Sequence, residues 1–341
     1  MRKSLLAIAG LACLIGSGGL FLANDRPEVG SKVLGSGWKV VAKPIFTGQY
    51  GCASDPTVLQ RDGKYRMYYT GLDPETARTV MCLAESVDGQ KWSEVATNKR
   101  LKGLVLQGRV GEWDENLESG FVVQVGDEYR LYYSGYRDIG DPAKGFPAAL
   151  GMATSPDGLK FTRVQDDPIL NPVKGGFDND AIYSPVVVKT KDGFAMVYCG
   201  HAYSGNSPGV RLLGATSEDG RTWTRRTDPV LEGAAVGDWA KDGVAEPALV
   251  ETDTGWWLFF TALEDENRVI GLAGGPSPFG PWKVVQDPIV RPEEGTFANS
   301  QVLAPSVLVE KDIVRMWLLG TRVGSEQISI GYAEKVGGLA K

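Results

Sequence analysis

The sequence predicts an all-β fold: a five-bladed β-propeller, closed by an N-terminal strand that completes the last blade. Three observations carry the prediction. A turn-and-anchor phrase recurs as Ser86-Val87-Asp88-Gly89-Gln90-Lys91-Trp92, Ser155-Pro156-Asp157-Gly158-Leu159-Lys160-Phe161 and Ser217-Glu218-Asp219-Gly220-Arg221-Thr222-Trp223, with a shorter form at Ser277-Pro278-Phe279-Gly280-Pro281-Trp282. Apolar strands rich in aromatics precede each copy, so the chain reads as a repeat array. The fifth copy lacks its end, because no turn and aromatic anchor follow Ile328–Ala333. Trp38-Lys39-Val40-Val41 matches Trp282-Lys283-Val284-Val285 residue for residue and supplies the missing piece from upstream. A first strand that completes a last repeat implies a ring, and blades around a ring make a propeller.

The repeats run over about 50–95, 113–165, 177–228, 239–286, and 297–335 plus 37–46. Each opens on a predicted inner strand: Thr57–Gln60, Phe121–Val125, Val186–Lys189, Ala248–Glu251 and Ser306–Glu310. Hairpin turns such as Asp62-Gly63 and Asp192-Gly193 follow, a pairing that suits the tight turns of twisted strands. Second strands are aromatic (Tyr65–Tyr69, Tyr129–Tyr133, Ala195–Tyr198, Trp256–Phe260, Val314–Leu318). Third strands include Met81–Ala84, Leu150–Ala153, Leu212–Ala215 and Ile270–Ala273. In the recurring turn, Ser and Asp side chains satisfy turn amides, Gly takes positive φ and the aromatic packs between blades. A catalytic role for these acids is the weaker reading.

Composition fits this plan and excludes other functions. The 341 residues include 44 glycines and one histidine, and the net charge is −6. That charge leaves no basic footprint for nucleic acid, and a lone histidine excludes a multi-histidine metal site. Residues 1–24 carry Arg2 and Lys3 before an apolar run from Leu5 to Ala23, which reads as an export signal. Phe21 at −3 fits signal cleavage poorly and Cys13 sits in a poor lipoprotein box, so cleaved signal, membrane anchor and lipoprotein stay open. All three place the domain in the periplasm or outside the cell, with a membrane involved only through this segment. Residues 25–36 read as a linker and 37–341 as the propeller, expected to be a monomer. Cys52 and Cys82 fall in one repeat and are candidates to pair, against the alternative that they and Cys199 are small buried residues.

The chemistry is expected where inner strands begin, since these residues face the mouth of the central channel. The five starts align as Cys52-Ala53-Ser54-Asp55-Pro56, Leu117-Glu118-Ser119-Gly120, Ile182-Tyr183-Ser184-Pro185, Val244-Ala245-Glu246-Pro247 and Val302-Leu303-Ala304-Pro305. Four of them share a proline, which suits the first residue of a strand because no ladder donor is needed there. The column before it differs from repeat to repeat and holds carboxylates only at Asp55 and Glu246. Repeats one and four are not neighbours in a ring of five, so these two acids face one another across the channel. Opposed carboxylates are what glycoside hydrolysis requires, one as acid and one as base or nucleophile.

A second acidic column lies four residues upstream at Glu115, Asp180 and Asp242, set to tune a catalytic acid or bind sugar hydroxyls, or to be solvated loop acids. Glu118 and Tyr183 abut the catalytic column and Ser184 stands in it, all three as substrate contacts. The ends of second strands bring Asp73, Tyr136, Arg137, His201, Tyr203, Glu264 and Arg322 to the same rim. Trp113 and Trp239 are candidates to stack on sugar faces, with loop anchoring as their alternative.

These motifs resemble the five-bladed propeller glycosidases: glycoside hydrolase family 43 and its relatives in families 32, 68, 117 and 130. The resemblance covers residues from about 37 onward. It implies that Ser54-Asp55-Pro56 carries the base and Ala245-Glu246-Pro247 the acid, working by inversion on a polysaccharide, a pentofuranose polymer such as arabinan being the first expectation. The family's third carboxylate, an aspartate at the start of the third blade, falls on Ser184, and Asp180 is the expected substitute. The histidine that helps hold calcium in that family has no counterpart in the fifth repeat, so no metal or cofactor is predicted. The Ser-x-Asp-Gly turns also resemble the Asp-boxes of sialidases, one residue shorter and without a recognisable arginine triad. A phosphorylase like those of family 130 and a non-catalytic carbohydrate-binding propeller are the competing readings.

Overall fold

A computed structural model describes residues 31–33, 37–137, 147–203, 209–325 and 327–339. The expected signal or anchor at 1–24 lies outside the described residues, Cys13 included. Five antiparallel meanders follow in sequence. Their three long strands are Ala53–Arg61, Lys64–Asp73 and Arg78–Ser86 in the first, and Asn116–Val125, Glu128–Tyr136 and Ala149–Ser155 in the second. The third has Ala181–Thr190, Gly193–Ala202 and Gly209–Ser217, and the fourth Gly243–Thr252, Gly255–Glu264 and Asn267–Gly275. Gln301–Glu310, Ile313–Thr321 and Ser329–Val336 make the fifth. All five first strands line one channel of about 290 Å³.

A two-residue fourth strand ends each of the first four meanders, directly after the aromatic anchor: Ser93–Glu94, Thr162–Arg163, Thr224–Arg225 and Lys283–Val284. In the fifth, Lys39–Val41 takes this place. Lys39 and Val40 oppose Glu334 and Ala333, as Lys283 and Val284 oppose Gly274 and Ala273. The segment expected to be a linker is not all linker, because Ser31–Val33 pairs antiparallel with Lys39–Val41 and extends the sheet by one more strand.

The recurring turns do what their chemistry requires. Ser86 Oγ accepts the Gly89 amide at 2.9 Å, and Asp88 Oδ1 accepts the amides of Gln90 and Lys91 at 2.8 and 2.7 Å. Ser217 and Asp219 repeat this with Gly220, Arg221 and Thr222. These amides hold the Asp219 carboxyl down to about 2 and keep it ionised. The turn then serves the neighbouring blade. Tyr68 OH donates to Gly158 O, Tyr132 OH to Gly220 O, and Trp317 Nε1 to Gly89 O at 2.7 Å. The last of these fastens the fifth blade to the first, and Trp92 meets Trp317 edge-on at 6.3 Å.

Trp113 and Trp239 belong to this framework. Their rings stack on Tyr133 and Phe260 (interplanar angles 7° and 12°), and their indole N–H groups donate to Asp166 O and Gln286 O. A Cβ at Gly135 would lie 2.5 Å from the Trp113 ring, so glycine is needed there for the loop to seat. These two tryptophans anchor loops: one face and the N–H of each are spent on the framework. Cys52, Cys82 and Cys199 are all buried free thiols, so the candidate Cys52–Cys82 pairing is absent.

Trp38, only 1 % exposed, seats the closing strand in the core of the fourth and fifth blades, edge-on to Phe259. Trp38→Ala is expected to lower unfolding free energy by about 3–5 kcal/mol, as buried aromatic truncations do. Chemical denaturation checks it; a loss within the error of the measurement would show that the closing strand contributes little.

Candidate active site

One backbone device builds the site. Every inner strand breaks its ladder at the column that separates Asp55 and Glu246 from the rest: pairing shifts between Ser54 and Thr57, Glu118 and Phe121, Tyr183 and Val186, Ala245 and Ala248, and Leu303 and Ser306. These are β-bulges. The column residues Asp55, Ser119, Ser184, Glu246 and Ala304 all take left-handed backbone, with φ between 48° and 49°. That conformation costs a non-glycine residue on the order of 1–2 kcal/mol. The shared proline therefore sits inside a strand, just after the left-handed residue, and not at the strand's first position; the bulge removes its need for a ladder donor.

The bulge amide is answered by the preceding blade. Ser119 N donates to Thr70 Oγ1, Ser184 N to Ser134 Oγ, Glu246 N to Cys199 Sγ and Ala304 N to Thr261 Oγ1, all between 3.0 and 3.1 Å. One middle-strand column thus supplies a hydroxyl or thiol to each next blade, and Cys199 is a structural acceptor. Leu319 fills the fifth position of that column and offers none.

Asp55 and Glu246 both line the channel, and the charge of Asp55 acts directly on Glu246. Glu118 joins them: it feels the charges of both. The three are 8 %, 7 % and 3 % exposed in that order. Ser54 Oγ donates to Asp55 Oδ2 at 2.7 Å, and Ser119 and Thr70 hydroxyls add to it. Thr261 Oγ1 and Ala304 N donate to Glu246 Oε2 at 2.7 and 2.9 Å, which leaves Oε1 to carry a proton. Tyr136 OH donates to Glu118 Oε1 at 2.7 Å.

Burial raises all three carboxyls. Glu246 is pushed up to about 7 by burial and then by Asp55, with Thr261, the Ala304 amide and Arg268 pulling the other way. Glu118 is pushed up to about 8 by burial and then by Asp55. Asp55 also rises through burial, opposed by the Ser54, Ser119 and Thr70 hydroxyls. Those three donors favour its ionised form. At neutral pH the cluster therefore holds a protonated Glu118 and a half-protonated Glu246, while burial and the three hydroxyl donors pull Asp55 in opposite directions.

Asp180 does not join them. Its oxygens accept from Asn179 Nδ2 and from the Tyr203 amide at 2.6 Å, closing the strand end onto the next hairpin. Asp242 does the same with the Asp265 amide, and Glu115 pairs with Arg78. The upstream acidic column is loop architecture, and the third carboxyl of the cluster is Glu118. Tyr183 and His201 meet at 6.4 Å, and His201 lies 4.0 Å from the Tyr203 ring. Burial lowers His201 to about 4, so it is neutral. Ser184 lines the channel and its Oγ has no hydrogen-bond partner among the described residues. Arg137 is exposed and donates to Gly111 O, Arg322 is exposed, and Asp73 pairs with Arg100.

Eight acids and arginines are buried among the described residues: Asp55, Asp73, Asp114, Glu118, Asp178, Glu246, Arg211 and Arg268. Four of them have ion-pair partners: Asp73 with Arg100, Asp114 with Arg109 and Arg163, Asp178 with Arg225, and Arg211 with Glu232. The other four have none among the described residues, and they are Asp55, Glu118, Glu246 and Arg268. A buried charge without a partner is costly, and these four share one site. Arg268 gave no signal in the sequence, since its repeat column holds no other charged residue, only Thr79 and Val210 among its counterparts.

Comparison with known proteins agrees on the fold. No family model matches the chain, and no curated protein sequence matches it. Among solved structures, it is similar to a thermostable family-43 glycoside hydrolase at 18 % identity and TM-score 0.65, over 84 % of this chain and 93 % of that one. It is similar to the β-1,2-mannobiose phosphorylase of Listeria innocua at 15 % identity and TM-score 0.62, over 89 % and 92 %. A third structure, from the family-130 mannoside phosphorylases and the glycoside hydrolases among them that target β-1,2-mannosidic linkages in Candida mannan, gives 16 % and 0.61, over 92 % and 96 %. The fold is that of the propeller glycosidases.

The raised carboxyls make stability pH-dependent. The folded chain holds the Glu118 proton up to about 8, whereas an unfolded glutamate releases it near 4.5. The stabilisation is therefore full below about 4.5 and is lost as pH rises to about 8. Glu118→Gln is expected to flatten the fall in Tm between pH 5 and 8 and to raise Tm at pH 8 by a few degrees. Thermal melts across that range check it; an unchanged slope would mean that Glu118 is ionised in the folded chain.

Proposed function

We propose that the chain is a glycoside hydrolase acting on an oligo- or polysaccharide, with Asp55 as base and Glu246 as acid. The observation that carries this is the pair of unpaired, buried carboxyls on bulges of the first and fourth blades, one ringed by three hydroxyl donors and one poised near neutrality. Glu246 Oε1 gives its proton to the glycosidic oxygen as the bond to the anomeric carbon breaks. Asp55 takes a proton from water as the water oxygen bonds to that carbon, which inverts the centre. Glu118, neutral at pH 7, offers its proton as a donor beside Asp55 without adding a third negative charge. The unpartnered Ser184 hydroxyl is available to a sugar hydroxyl. The likeness to family-43 and family-130 structures supports the substrate class, and the apolar segment at 1–24 supports action outside the cytoplasm. Pentofuranose polymers such as arabinan head the panel, on the family resemblance of the motifs.

The phosphorylase reading is the second, and the likeness to the β-1,2-mannobiose phosphorylase structure is the observation that favours it. Incubation of residues 25–341 with plant and bacterial polysaccharides, with and without phosphate, separates the two: reducing sugars form either way in hydrolysis, and sugar phosphates require phosphate. Asp55→Asn and Glu246→Gln are expected to lower kcat by about 10²–10⁴-fold, as loss of a positioned acid or base does. Retained turnover in both would end the assignment.

Thr261→Val provides a finer check. The Thr261 hydroxyl stabilises ionised Glu246, so its removal raises the Glu246 pKa above about 7. The alkaline limb of the pH–rate profile then moves to higher pH. A limb that stays in place would show that Glu246 is not the acid.

A further inference from the structure

Arg268 is the one buried arginine without a carboxylate partner among the described residues, at 4 % exposure. It is the second residue of the third strand of the fourth blade (Asn267–Gly275), opposite Leu263. Its Nη1 donates to Asp265 O and Asn267 O at 3.0 and 2.7 Å, which fixes the guanidinium against its own hairpin. Among the described residues, no hydrogen bond engages Nε or Nη2. That remaining edge carries two parallel N–H groups, the geometry that grips a carboxylate with both oxygens. Arg268 opposes Leu263, two residues along the strand from Thr261, whose hydroxyl donates to Glu246, and its charge reaches both Glu246 and the Tyr183 hydroxyl, so the guanidinium lies on the acid's side of the site.

We propose that Arg268 is the carboxylate-binding residue of a subsite for an acidic sugar unit, a uronic acid or its equivalent, beside Glu246. Charge decides between the oxyanions that such an edge could take. A phosphate dianion would meet one arginine and the negative charge of Asp55 and Glu246. A single carboxylate matches the single fork in charge and in shape. A neutral sugar would leave a buried cation unanswered, which costs more than an unmade neutral hydrogen bond. The inference rests on the glycosidase reading, since the acidic sugar is taken to be part of the chain cleaved. Its test is independent of turnover.

Galacturonate, glucuronate, galactose, glucose and inorganic phosphate are titrated into residues 25–341 by calorimetry, with Arg268→Met and Arg268→Lys beside the parent. The parent is expected to bind the uronates at least tenfold more tightly than the matching hexoses. Arg268→Met should bind uronate and hexose alike, and Arg268→Lys, which keeps the charge and loses the fork, should fall between. Arg268→Met should melt no lower than the parent, because it removes an uncompensated buried charge. Equal binding of uronate and hexose by the parent overturns the proposal, as does phosphate displacing uronate at lower concentration. A melting temperature several degrees lower in Arg268→Met, with the uronate preference kept, shows that the cation serves the fold alone. Uronate binding without turnover of any polysaccharide would uphold the subsite and end the glycosidase reading.

Discussion

The left-handed bulge in each inner strand is the constraint on which the rest of this structure depends. A regular strand sends alternate side chains to opposite faces and spends every amide on its ladder. One extra residue at φ near 49° breaks that pattern five times around the channel. It frees an amide, which the preceding blade receives in four of five cases through Thr70, Ser134, Cys199 or Thr261. It also brings a single side chain per blade to a common level. The strain is compensated between blades, so the acids are held by the ring as a whole and not by any one loop.

Electrostatics divides the interior in two. Buried charges of the framework are paired: Asp114 takes Arg109 and Arg163, and Tyr133 adds its hydroxyl to the same carboxylate. Charges of the site are unpaired: burial and then the charge of Asp55 raise Glu118 and Glu246, and Asp55 keeps three hydroxyl donors. A glycosidase needs this second arrangement, because an acid locked in a salt bridge cannot release a proton near neutral pH. The placement of Arg268 among the unpaired charges argues that it too is kept for a ligand.

Much of this was legible in the sequence, for reasons of periodicity. The match of Trp38–Val41 to Trp282–Val285 foretold the pairing of Lys39–Val41 with Ser329–Val336, because a repeated residue pattern reports a repeated packing environment. Asp55 and Glu246 stood out because their column varies where a structural column would agree. Three features were not legible. Proline at the next position looked like a strand start, since a bulge has no residue signature of its own when the left-handed residue is not glycine. Asp180 looked like the third acid because spacing cannot reveal that the Tyr203 amide occupies its carboxylate. Glu118 stands one column away from Asp55 in alignment, and spacing gave no sign that its carboxyl lies close enough to feel the charges of Asp55 and Glu246. Trp113 and Trp239 were ambiguous for a related cause: their partners Tyr133 and Phe260 are remote in sequence.

The central claim is that the channel carboxyls carry protons at neutral pH. Carbon-13 detected NMR titration of the glutamate side-chain carboxyls, assigned with Glu118→Gln and Glu246→Gln, tests it most directly. The account predicts two resonances that titrate well above the rest, near 8 and near 7, each lost in one variant. Titration of every glutamate below about pH 5 would contradict it, and neither glutamate of the site could then protonate a leaving oxygen at neutral pH.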